Sequence, residues 1–216
     1  MKFFDVVGYS TEWWELRRGV PTASEFGRVL SPAKAEPSRG AEGYIRQLVE
    51  ELSPAWLPPV VTERPATPAM RHGVECEPEA RAFYSLLTGN AVSNGGFVAT
   101  DDGRFGCSPD GLVVAVDCPG SPNVGCLELK CVQPGTQAAY LLYDDLPREH
   151  KCQVHGQLIV TGLPWVDFLS YCPGMDPLLV RVCPDDFTKK LKTELDVFYG
   201  RLCAAREKAF PKGVVA

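Results

Sequence analysis

The sequence predicts an α/β architecture of the α+β kind, a mixed central β-sheet flanked by helices. Three observations point there. Apolar residues recur at helical spacing over residues 42–52, 70–87, 147–161 and 184–209. Short strand-like runs separated by Gly, Asp and Pro turns fill residues 97–132. Two more strand-length runs, Asp167–Cys172 and Leu178–Cys183, lie between the last two helices.

Each element has a local cause. Thr22 and Glu25 stand three apart, which reads as a capping box opening a helix. Its free amides would point back toward Arg17 and Arg18, a corner suited to an anion. The next helix places Tyr44, Ile45, Leu48, Val49 and Leu52 on one face. Pro54, Pro58, Pro59, Pro65 and Pro68 then make residues 53–69 a stiff connector. Helical spacing returns from Met70 to Leu87, with Pro78 as a kink or first turn and Gly89-Asn90 as the stop.

Phe97–Thr100 and Arg104–Cys107, joined by Asp101-Asp102-Gly103, read as a hairpin. Ser108-Pro109-Asp110-Gly111 is a second tight turn. Leu112–Val116 is a strand, 117–125 a loop and Cys126–Val132 another strand. In that last strand Leu127, Leu129 and Cys131 face one way, and Cys126, Glu128, Lys130 and Val132 the other. In the helix over 147–161, His150, Gln153 and Gln157 share one stripe. The strands after it pair across Pro173-Gly174. The last helix carries Phe187, Leu191, Leu195, Phe198 and Leu202 as its apolar stripe.

Composition narrows the class. The chain has 216 residues, 45% hydrophobic and 23% charged, enough for one domain with a real core. A single domain over residues 1–216 is expected. No apolar run approaches the roughly 18 residues of a membrane span, and Asp5 interrupts the N-terminus too early for a signal peptide. Nine cysteines, none in a C-x-x-C pair, read as free buried thiols in a reducing cytoplasm rather than a zinc or iron–sulfur framework. The net charge of −5 alone argues mildly against nucleic acid.

The chemistry-bearing feature is Asp110 in a turn beside a strand, followed by Glu128-Leu129-Lys130 on a later strand. Glu128 and Lys130, two apart, leave the same face of the sheet. Two carboxylates on adjacent strands can hold a hard divalent cation such as Mg²⁺ or Mn²⁺. A lysine beside them can orient water or stabilise phosphorane charge, the minimal kit for metal-assisted phosphodiester hydrolysis. An isolated E-x-K is weak, because surface strands often alternate acid and base. Here the flanking residues are strongly apolar, and a charged pair in a core sheet needs a reason.

Ser108-Pro109-Asp110-Gly111-Leu112 followed by Leu127-Glu128-Leu129-Lys130-Cys131 resembles the PD-(D/E)xK nuclease core. The particular form resembles the lambda-type phage exonucleases, the YqaJ-like viral recombinase family. Trp14 to Ser24, Gly73-Val74-Glu75-Cys76-Glu77 with Ala80 and Phe83, and His150 to Gln157 are similar to further motifs of that family, in the same order. The resemblance implies Asp110 and Glu128 as metal ligands with the backbone carbonyl of Leu129, and Lys130 as the catalytic lysine. It implies Glu77 as a carboxylate for a second metal or its waters, and Gln153 as the residue placing the nucleophilic water. Arg17, Ser24 and Ser108 would hold a terminal 5′-phosphate.

The activity so implied is a Mg²⁺-dependent 5′→3′ double-strand DNA exonuclease. It would use two ions per site, with Mn²⁺ as a substitute, and resect 5′-phosphorylated ends to 3′ overhangs for phage-type recombination. The resemblance also implies a ring-shaped homotrimer, a single-strand annealing protein as partner, no membrane, and the cytoplasm of a bacterial host. A ring needs a basic channel only, which answers the negative net charge. Three features depart from the pattern: the long spacer between Asp110 and Glu128, Pro78 directly after Glu77, and Gly156 inside the glutamine helix. The rival readings are a restriction- or repair-type endonuclease on the same core, and a DNA-binding subunit without chemistry. His72 and His155 read as structural, His150 as a supporting residue near the site, and Glu75 and Glu79 as solvated.

Overall fold

The computed structural model describes residues 1–58, 68–115 and 124–211, and side chains from 71 onward in the second segment. The chain opens with strand β1 (Lys2–Phe4) and helix α1 (Thr11–Arg17), which Ser10 caps through the Trp13 amide at 3.2 Å. A 3-10 helix over Ala23–Arg28 and helix α2 (Ala41–Glu50) follow. Helix α3 (Pro68–Thr88) leads into strands β2 (Ala91–Ser93), β3 (Phe97–Ala99), β4 (Gly106–Cys107), β5 (Gly111–Val114) and β6 (Val124–Cys131). Helices α4 (Pro134–Tyr143) and α5 (Arg148–Thr161), strands β7 (Val166–Tyr171) and β8 (Leu178–Val182), and helix α6 (Asp186–Ala209) complete it.

The main sheet runs β2-β5-β6-β7-β8, with β6 and β7 parallel and the other pairs antiparallel. The mixed character predicted from the sequence is therefore present. The parallel step is forced by chain length, since α4 and α5 lie between β6 and β7 and carry the chain back over the sheet. The smaller antiparallel sheet, β1-β3-β4, contains the expected hairpin, with Gly103 at φ 70° in its turn.

The two faces of β6 separate as the alternation predicts. Leu127 and Leu129 pack with Ala80 and Tyr84 of α3, while Cys126 packs with Val154 and Leu158 of α5. A third cluster joins Phe26, Tyr44, Ile45 and Leu48 to the α6 stripe of Phe187, Leu191, Leu195, Phe198 and Leu202.

The structure corrects several expectations. The Thr22–Glu25 capping box does not form. The helix there is 3-10, Thr22 makes no side-chain cap, and its hydroxyl accepts from Arg17 Nη2 at 3.0 Å. Glu25 instead pairs with Arg28 at 3.2 Å. A real capping box stands at α6: Asp185 accepts from the Thr188 amide at 2.9 Å and Thr188 Oγ1 from the Asp185 amide at 3.0 Å. Of the two places expected for Pro78, the interior of α3 is the one found. Gly156 is a packing requirement, because a Cβ there would stand 2.6 Å from the Phe26 ring. Glu79 is exposed as expected, and also accepts from the Tyr171 hydroxyl at 2.6 Å. Strands β1 and β2 and helices α1 and α4 had no sequence prediction. Most of the connector over 59–67 and of the 117–125 loop lies outside the described residues, as does Cys118. The eight described cysteines are all free.

Candidate active site

The site is built at the edge where β5 meets β6. Gly111 pairs with Leu127, and continuing that antiparallel register by one residue sets Asp110 opposite Glu128. Asp110 is locked there at two points. Its amide donates to the Leu127 carbonyl at 2.9 Å, and its Oδ2 accepts from the Leu129 amide at 2.6 Å. The N–H and C=O of one strand residue leave the same edge, so the Leu129 carbonyl lies on Asp110's side.

Glu128 is 1% exposed and carries three donors. Its Oε1 accepts from Lys130 Nζ and from Gln153 Nε2, the latter at 2.5 Å, and its Oε2 accepts from Gln157 Nε2. Gln153 and Gln157 are one turn apart on α5, so one helix face grips both oxygens of one carboxylate. The sequence stripe contained Gln157, but without the fold nothing distinguished it from a solvated glutamine.

Electrostatics follow from this crowding. Burial, then the facing Glu128 carboxylate, hold the Asp110 carboxyl well above the usual carboxylate range, against the pull of Lys130. For Lys130 burial works downward, yet the carboxylates of Glu128 and Asp110 overcome it and raise the ammonium's pKa. Two facing carboxylates and a strand carbonyl, hard oxygen donors only, fit a divalent cation. Among the described residues no group of three His, Cys, Asp or Glu converges. Glu77 pairs with Arg81 at 2.9 Å, and its charge also acts on Asp110, adding to the upward push on that carboxyl.

A second cluster adjoins the first. Ser108 Oγ accepts from Trp13 Nε1 at 2.9 Å and from Arg17 Nη1 at 3.5 Å. The Arg17 guanidinium lies over the Trp13 ring at 4.1 Å. Thr22 Oγ1 is 3.4 Å from Ser24 Oγ. The three residues expected to hold a phosphate are thus brought together, with Ser24 exposed and Thr22 bridging it to Arg17. Burial lowers the Arg17 pKa, which remains that of a group charged at neutral pH. Trp13 holds both Arg17 and Ser108. Its spacing of four before Arg17 was the available signal.

His150 stacks on Phe168 at 5.2 Å, and its Nε2 is 3.1 Å from the Tyr140 hydroxyl, which also donates to Glu149 at 2.7 Å. Burial first, then Lys130, depress the imidazole to about 4, so it is neutral at pH 7. His155 is buried with Nδ1 2.8 Å from Thr188 Oγ1. Tyr9, at φ 64°, packs on Trp13 at 5.3 Å and lies in the electrostatic neighbourhood of Lys130. No helix among the described residues is long and apolar enough to cross a membrane.

Comparison with known proteins places this arrangement. The chain is 28% identical to an alkaline exonuclease from Laribacter hongkongensis, LHK-Exo. Its crystal structure superposes with a TM-score of 0.74 over 92% of this chain and 95% of that one. The structure of LHK-Exo in complex with dAMP gives a TM-score of 0.73 at the same identity and the same coverage of both chains. A phage-related exonuclease from Haemophilus somnus 129PT shares the fold at 11% identity, with a TM-score of 0.57 over 86% of this chain and 95% of that one. No curated protein sequence matches. The YqaJ-like viral recombinase domain matches residues 12–164, so this chain belongs to that family, on a PD-(D/E)xK-like fold.

Proposed function

We propose that the chain is a Mg²⁺-dependent 5′→3′ exonuclease acting on double-stranded DNA. The observation that carries this reading is Asp110 facing Glu128, with Lys130 on the same carboxylate and the Arg17–Ser108 pair two residues from Asp110. Asp110, Glu128 and the Leu129 carbonyl would hold the ion, with Mn²⁺ as a substitute. Glu77, whose Oε1 pairs with Arg81, would serve a second ion or its waters. The ion would supply charge neutralisation at the scissile phosphate and a more acidic water.

The protein's own residues do the rest. Lys130, kept charged by its two carboxylate neighbours, stabilises negative charge building on the phosphoryl oxygens. Gln153 and Gln157 hold Glu128 in one orientation, and Gln153 stands where it can share a water with that carboxylate. Water adds to phosphorus, the bond to the 3′-oxygen of the terminal nucleotide breaks, and that oxygen takes up a proton. The products are a 5′-mononucleotide and a strand with a new 5′-phosphate. Arg17, Ser24 and Ser108 receive that phosphate, an arginine fork and two hydroxyls being suited to a dianion. Holding the end fixes which bond lies over the carboxylates.

The same reading extends to assembly and role. A ring of three copies around duplex would confine basic charge to a channel and leave the net charge of −5 outside. The 3′ strands produced are substrates for an annealing protein, and the setting is a bacterial cytoplasm.

The test is digestion of linear duplex against closed circles, with 5′-phosphate and 5′-hydroxyl ends compared in one salt concentration. Linear, 5′-phosphorylated duplex should be digested in Mg²⁺, with closed circles untouched. Arg17→Ala should lose the preference for phosphate. Cleavage of circles would establish an endonuclease instead. No cleavage of any form, with tight DNA binding, would establish a non-catalytic subunit.

A further inference from the structure

Beside the Arg17 corner lies a cleft of about 200 Å³ lined by Trp14, Arg17, Arg18, Gln47, Glu51 and Trp56. It continues into a shallower groove over Trp14, Trp56 and Leu57, the leucine 80% exposed. Neither tryptophan belongs to the site described above. Both are only half-buried, and Trp14 meets Trp13 edge to face at 4.7 Å.

The polar groups of this cleft are already committed to one another. Arg18 donates to the Glu51 carbonyl at 2.7 Å and the Ser53 carbonyl at 3.0 Å, with its guanidinium 5.3 Å from the Trp56 ring centre. Glu51 accepts from the Gly19 amide at 2.9 Å and from Gln47 Nε2 at 3.0 Å. Gln47 Oε1 in turn accepts from Arg28 Nη1 at 2.7 Å. What remains on offer is indole surface, beside an Arg17 that already holds Thr22 and Ser108. The carboxylates of Glu50 and Glu51 on the groove disfavour a phosphate there. An uncharged planar ring has no such conflict, and aromatic platforms take any base because every base has a π-face.

We propose that this cleft stacks the unpaired base of the 5′-terminal nucleotide, without reading which base it is. The proposal rests on the 5′-phosphate corner above, because Arg17 belongs to both. Trp14 and Arg17 line the same cleft, so a base next to an end phosphate on Arg17 would meet indole there. Opening the last base pair exposes that base, and stacking on indole offsets the cost of unpairing. The strand being digested is thereby held open without a sequence preference.

The experiment uses the full chain in EDTA, with duplex carrying 5-iodo-deoxyuridine at the 5′-terminal position and intact by gel. After near-ultraviolet irradiation, the crosslinked peptide is mapped by mass spectrometry. The crosslink should fall on Trp14 or Trp56, and should drop when the label moves to the third nucleotide. Trp56→Ala should cut its yield and raise KM for blunt duplex by about 5- to 100-fold. Trp56→Phe should restore both. The KM penalty should shrink on duplex whose 5′-terminal base is already mismatched, a readout that a merely structural tryptophan would not move.

A crosslink elsewhere, an unchanged yield in Trp56→Ala, or an equal KM penalty on paired and mismatched ends overturns the proposal. Those outcomes leave end-dependent digestion intact in the wild type. Failure of the exonuclease reading would instead show as no digestion of linear duplex by the wild type in Mg²⁺.

Discussion

Gln157 donates to Glu128 Oε2 from a position 1% exposed, while its own Oε1 has no partner among the described residues. A buried amide oxygen left unpaired costs stability. The arrangement gives the protein a donor on the carboxylate proposed to hold the ion, at that expense. Gln157→Leu should therefore leave the chain folded and lower its Mg²⁺ affinity by about 10- to 100-fold, as loss of a ligand-orienting partner does. Calorimetric or fluorescence titration with the ion measures this directly. An unchanged affinity would mean that the glutamine only fills space.

Asp110, half-buried, faces the buried Glu128 across one strand pair. Asp110→Asn removes one of two opposed charges while keeping the shape. The metal-free protein should melt higher, by about 2–4 °C per kcal/mol of repulsion relieved. Cleavage should fall by at least about a hundredfold. A lower midpoint would show that the Leu129 amide bond to the carboxylate outweighs the repulsion.

His150 links stability to pH. Its imidazole titrates near 6.5 when unfolded and about 4 when folded, because burial and then Lys130 oppose its charge. Between those values the unfolded chain binds more protons, so the contribution is complete above about pH 6.5 and is lost as pH falls toward 4. The slope is at most about 1.4 kcal/mol per pH unit. Denaturant melts of wild type and His150→Gln between pH 4 and 7 should converge at the acid end. Parallel curves would place the titration elsewhere.

Asp167 is a control outside the site. It is 2% exposed, is held by Arg181 at 2.7 and 2.8 Å, and accepts from the Tyr84 hydroxyl at 2.7 Å. Asp167→Ala removes the acceptor of three hydrogen bonds and should cost about 1–3 kcal/mol. Single-turnover cleavage at temperatures where the variant is folded should match the wild type. A rate loss there would show that the α3–β7 network reaches the carboxylates.

The sequence alone determined what depends on local periodicity and covalent spacing. The alternation in β6 decided that Glu128 and Lys130 share a face opposite Leu127 and Leu129. The 3.6-residue period decided the buried stripes of α2 and α6, and the stripe that carries His150, Gln153 and Gln157. The motifs also carried the family, because their order along the chain is a property of the sequence. Only tertiary structure decided the rest. The Thr22–Glu25 pattern satisfies a capping rule, yet Arg17 reaches the Thr22 hydroxyl and the segment tightens into a 3-10 turn against α5. Gly156 looked like a weak point in a helix until Phe26 was seen against it. Gln157 became a partner of Glu128, Glu77 a partner of Arg81, and Trp13 the support of Ser108, through contacts between residues 4 to 95 positions apart. Helical and strand periods say which face a side chain leaves from. They carry no information about which distant face will meet it, and the partners of a charged or polar group are set there.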